Sequence, residues 1–143
     1  MRRLIVAFVA AVVAGAGLVA AAGPAIAQPD TKSINLHGNK EVPGPGDPDG
    51  RGQFTWTVNG TELCYLLTAE NIEPAIAAHI HVGDRKTAGP IVVHLAAPTS
   101  GTAAACTTLT PELAADLEEN PRDYYVNVHN TAFPGGAIRG QLH

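Results

Sequence analysis

The chain has 143 residues, with 9 lysines and arginines against 13 acidic side chains, a formal net charge of −4, and 45% hydrophobic but only 5% aromatic residues. That length suits one ordinary domain and no more. An acidic chain whose aromatics beyond the N-terminal segment are Phe54, Trp56, Tyr65, Tyr124, Tyr125 and Phe133 has neither the basic surface nor the stacking platform that nucleic acid requires, so no nucleic-acid partner is expected.

In chain order, Arg2 and Arg3 precede an apolar, small-residue stretch from Leu4 to Ala22, and Ala25-Ile26-Ala27 makes a small-x-small cleavage site. These features predict a signal peptide over residues 1–27, cut before Gln28, and a secreted, extracellular or periplasmic mature domain over residues 28–143. No later stretch approaches the ~20 apolar residues of a membrane span, so the mature chain is not expected to cross a membrane.

Period-two alternation dominates the mature chain. Ile34 and Leu36 alternate with Ser33, Asn35 and His37 in a first strand, and the Pro- and Gly-rich run 41–50 must be a loop. Phe54, Trp56 and Val58 face Leu63, Tyr65 and Leu67 across Asn59-Gly60, a hairpin signal. Strands are expected around 76–82 and 91–95, separated by a turn over 83–90, and the small-residue stretch 97–105 reads as loop. Thr110-Pro111-Glu112 supplies an N-cap, a proline at the first helical position and an early acid, so a short helix should open there and stop before Asn120-Pro121. Strands at 124–128 and 137–142 close the chain around the turn Pro134-Gly135-Gly136. The expected fold is an all-β, antiparallel β-sandwich of about seven strands with one short helix. Cys64 and Cys106, an even pair in an exported chain, are expected to form a disulfide.

Chemistry, if any, falls to histidine. His79 and His81 stand two residues apart on one strand, so both leave the same face with Cα atoms about 6.6 Å apart. The same parity puts Tyr124, Val126 and Val128 on the core side and Tyr125, Asn127 and His129 opposite. Three histidines from two strands suit zinc or copper and leave a coordination position open. The other reading has these rings hydrogen-bonding loop backbone and locking the long connections onto the sheet. His94, and similarly His37, is a fourth ligand, an outer partner or an exposed side chain, and His143 is expected to be a mobile terminus. Asp47, Asp49 and Asp84 in glycine-rich turns read as turn formers, because no later bidentate acid completes a calcium loop. There is no G-x-S-x-G and the cysteines are paired, so no catalytic residue is assigned. Arg139 is either a surface charge or an anion-steering group beside the histidines.

Five segments in order, Leu36-His37-Gly38-Asn39-Lys40-Glu41-Val42-Pro43, Ala77-Ala78-His79-Ile80-His81-Val82-Gly83, Gly89-Pro90-Ile91-Val92, Tyr125-Val126-Asn127-Val128-His129 and Gly135-Gly136-Ala137-Ile138-Arg139-Gly140-Gln141-Leu142, resemble the CHRD (chordin-type) domain family over essentially the whole mature chain. The resemblance implies an immunoglobulin-like sandwich in an extracellular or envelope setting and brings no assigned activity. A fainter pattern is similar to copper/zinc superoxide dismutases: His79, His81 and His129 match copper ligands and Arg139 the substrate-guiding arginine, while that family's zinc-loop cluster is missing. Two functions stay open, a non-catalytic module that binds an extracellular or envelope protein, and a copper- or zinc-binding protein with a three-histidine site and dismutase-like redox chemistry.

Overall fold

The computed structural model describes residues 30–143, so the expected leader over 1–27 and its cleavage site lie outside the described residues. Eight strands follow in chain order: β1 (Lys32–His37), β2 (Arg51–Asn59), β3 (Glu62–Glu70), β4 (Ala77–Val82), β5 (Ile91–Leu95), β6 (Thr102–Thr108), β7 (Tyr124–His129) and β8 (Ile138–Gln141). The α-helix α1 (Pro111–Glu119) lies between β6 and β7. All pairings are antiparallel, in the order β5-β4-β7-β8-β1-β2-β3-β6. The all-β class with one short helix is therefore as the sequence predicts. No helix among the described residues is long and apolar enough to cross a membrane.

Two features depart from expectation. The strands of the sandwich are joined in one continuous order, because β1 and β8 pair through His37↔Arg139. The sheet rolls over instead of remaining flat: Ala96, just past β5, donates its backbone N–H to the Tyr65 hydroxyl of β3 at 2.7 Å, joining opposite ends of the strand order. The eighth strand, β6, is the other surprise. Its sequence, Thr-Ala-Ala-Ala-Cys-Thr-Thr, contains no large apolar side chain to betray alternation, yet Ala103 and Ala105 turn inward while Ala104 and Cys106 face solvent. Pairing with β3 makes it a strand, and the Cys64–Cys106 disulfide links residues directly opposite in that register.

Local signals hold where they are strong. In the β2–β3 hairpin Asn59 pairs with Glu62, so the two-residue turn is Gly60-Thr61. Of these turn residues only Gly60 has positive φ, at 60°, which is the type II′ arrangement with glycine first rather than an Asn-Gly type I′ turn. Thr110 caps α1 by accepting a hydrogen bond from Leu113 N at 3.2 Å, with Pro111 following, and the helix buries Ala114 and Leu117. Alternate residues of β2 and β3 enter one core with Ile80 of β4 and Val126 and Val128 of β7. Phe54, Leu63, Leu67 and Ile80 are fully buried, each worth roughly 1.5–3 kcal/mol of apolar transfer.

Candidate metal centre

The strand order sets β4 between β5 and β7, with β8 beyond. Residues directly opposite in adjacent strands share a face. The register therefore draws a polar row across five strands: His94↔His79↔Asn127↔Arg139↔His37. A second row runs His81↔Tyr125↔Gln141, and His129 stands opposite Ala77. Parity thus puts all three candidate histidines off the core, and adjacency of β4 and β7 brings them together. Because Ala77 offers His129 almost no side chain, the ring is free to lean diagonally to His79, and His129 Nε2 lies 3.1 Å from His79 Nδ1.

One ring nitrogen from each of His79, His81 and His129 lies within 4.8 Å of the others. Three nitrogens on a tetrahedral ion at 2.0–2.1 Å would be separated by ~3.3 Å, so small side-chain rotations close the remaining gap. Tautomers follow from the partners. His81 Nδ1 lies 2.8 Å from Gly89 O and His129 Nδ1 3.0 Å from Pro134 O. A carbonyl oxygen only accepts, so each Nδ1 carries the proton; that leaves His81 Nε2 presenting its lone pair, while His129 Nε2 faces the side-chain oxygen of Asn127 at 3.0 Å. His81 Nε2 is buried with no hydrogen-bond partner. Backbone carbonyls that hold one ring nitrogen while the other is left as an acceptor are the usual outer support of metal-binding histidines.

Burial disfavours the charged form of His79 and His129. Burial, then repulsion from His129, His81 and His94, pushes the His79 pKa down to about 4, and burial likewise lowers that of His129. Neutral imidazole is the form that ligates metal. His94 is exposed on β5 with its ring centroid 5.0 Å from that of His79, and it lies outside the converging trio. The cysteines are spent: Cys64 and Cys106 are bonded to each other, so their grouping with Glu62 offers no thiolate.

The face carrying the histidines is partly covered, which corrects the expected character of Arg139. Tyr125 and Asn127, the β7 side chains of that face, are buried, because the 83–90 connection folds back over the polar rows. Arg139 is only 1% exposed and donates to Thr87 O at 3.0 Å and Asp84 O at 2.6 Å. Its guanidinium sits 3.4 Å from the centre of the Tyr125 ring, which stacks on His81 at 4.8 Å and 6°. Arg139 is thus neither a surface charge nor free to reach an incoming anion; it pins the connection and, through Tyr125, flanks His81. Gly89 permits the fold-back, since a Cβ there would come within 1.6 Å of Val82 O. Asp84 behaves as the turn former expected of it, accepting at Oδ1 from Lys86 N and the Thr87 hydroxyl.

Glu41 escaped sequence reasoning altogether. It follows a 3-10 turn (Gly38–Lys40), is 7% exposed, and its Oε1 has no hydrogen-bond partner. Burial raises its pKa to about 7, against the lowering influence of Arg139, Val42 N–H and the Asn127 side chain. Asn127 links it to the histidines, with Oδ1 3.0 Å from His129 Nε2. The only hint in the sequence is a glutamate within a Gly- and Pro-rich loop, which local rules assign to the surface.

The molecule is accordingly an all-β domain with a converging histidine trio on the polar side of a rolled sheet. Residues 32–142 match the CHRD domain model, and the chain belongs to the CHRD domain family. Neither the curated proteins nor the solved structures yield a match.

Proposed function

We propose that this chain is an exported, non-catalytic CHRD-domain binding module of the cell envelope or extracellular space, and that its polar sheet face binds a divalent transition-metal ion, copper or zinc, through His79, His81 and His129. The observation that carries the metal reading is the convergence of the three rings, one nitrogen of each within 4.8 Å of the others, with Gly89 O holding His81 so that its Nε2 is an acceptor. Export is supported by the signal-like segment over 1–27 and by the Cys64–Cys106 disulfide, a bond that persists in oxidising compartments. An all-imidazole set favours Cu²⁺ over Zn²⁺ by the usual affinity order. The domain has a full apolar core of its own, so the ion is a ligand and not the source of the fold.

The test is calorimetric titration of tag-free protein with Cu²⁺ and Zn²⁺. His81→Ala should weaken binding by more than ~100-fold with an unchanged circular dichroism spectrum. A triple variant, His79→Ala with His81→Ala and His129→Ala, that binds copper as tightly as the parent would overturn the metal reading and return the histidines to anchoring loops.

A further inference from the structure

Beside the histidines, on the same sheet face and reached through Arg139, lies a cleft of about 540 Å³ between β1, β8 and the 83–90 connection. That volume falls within the range of small-ligand sites. Its charge is out of character for an acidic protein. Lys40, Arg85, Lys86 and Arg139 line it, four of the seven basic side chains among the described residues, with Glu41 as the one acidic side chain in the lining. Lys40, Arg85 and Lys86 are exposed at the rim, so their ammonium and guanidinium groups are available to a ligand, whereas Arg139 contributes a fixed charge from the floor. Glu41 opposes that field weakly near neutral pH because its carboxyl is half protonated there.

The remaining lining is made for hydroxyls. Asn35, Asn39 and His37 present polar side chains, and no Phe, Tyr or Trp contributes, so the cleft has no platform for stacking a base or an aromatic ring. At its wall the Gln141 amide is committed to the fold: its Nε2 shares two hydrogens among the carbonyls of Gly83, Arg122 and Tyr124, at 2.8, 2.8 and 2.9 Å, and its Oε1 is buried.

We infer that this cleft is a binding site for an anionic saccharide, its sulfate or carboxylate groups held by Lys40, Arg85 and Lys86 and its hydroxyls by the exposed Asn35 and Asn39 side chains. The inference is independent of the metal reading, since none of the three histidine ligands lines the cleft.

The experiment is calorimetric titration of metal-free protein at low salt with a trisulfated uronic-acid disaccharide, digalacturonate and a neutral disaccharide of the same size. Both anionic probes, or either, should bind and the neutral one should not; their ratio identifies the preferred oxyanion. Lys40→Gln, Arg85→Gln and Lys86→Gln together, all at exposed positions that leave the core untouched, should weaken binding about ten-fold. Arg122→Gln, an exposed charge outside the cleft, should leave it unchanged. Equal binding of the neutral disaccharide, no binding of either anion, or a triple variant that binds as the parent does would overturn the inference.

Discussion

Glu41→Gln isolates the buried carboxyl and tests the polar face quantitatively. The Glu41 pKa is about 7 in the folded protein against an ordinary 4.5. Between those values the native state holds a proton that the unfolded chain has released, so stability falls as pH rises, by about 1.36 kcal/mol per pH unit. The contribution is fully present below pH 4.5 and is lost as pH passes 7, a total of about 3 kcal/mol. His79 and His129 act in the opposite sense, since lowered imidazole pKa values make the native state gain stability as pH rises toward 6.5. Comparing parent and variant cancels that contribution, because glutamine is neutral throughout and leaves the rings in place. Urea denaturation of metal-free protein with the disulfide intact, at half-unit intervals from pH 4 to pH 8, gives the difference directly. The parent should lose about 3 kcal/mol relative to Glu41→Gln across that range. A difference that stays flat to within about 0.5 kcal/mol would refute the claim that burial dominates the Glu41 environment.

Two further outcomes follow from the packing. Replacing Cys64 and Cys106 by alanine removes a cross-link spanning 42 residues and should cost about 4 kcal/mol in the chain-entropy account, measured by denaturant unfolding, while Cu²⁺ affinity of the folded variant stays at the parent value; a loss below about 1 kcal/mol would contradict it. Arg139→Met leaves Asp84 O and Thr87 O without their donor and should cost roughly 3 kcal/mol, with hydrogen exchange accelerated across residues 83–90 and Arg139→Lys recovering part of the loss; unchanged exchange there would show that Arg139 does not pin the connection.

The two kinds of information in this protein divide by range. Alternation in β2, β3, β4 and β7, the capped start of α1 at Thr110 and the glycine turn after Asn59 are local, because a side chain's face depends on parity and a turn on a few neighbouring dihedrals. The shared face of His79, His81 and His129 was legible for that reason, and so was the pairing of the only two cysteines. β6 was not, since Thr-Ala-Ala-Ala-Cys-Thr-Thr has no apolar contrast and becomes a strand only by bonding to β3.

By itself, then, the sequence determined an all-β chain, its parity and its candidate ligands. Tertiary structure alone decided that β7 lies beside β4, bringing His129 to His79 across 50 residues of chain, and that the 83–90 connection returns to bury Arg139. It also decided that a loop glutamate, Glu41, ends beneath the surface with a raised pKa. Strand order and loop return are long-range choices, set by the combined burial of many side chains, and no window of neighbouring residues contains them.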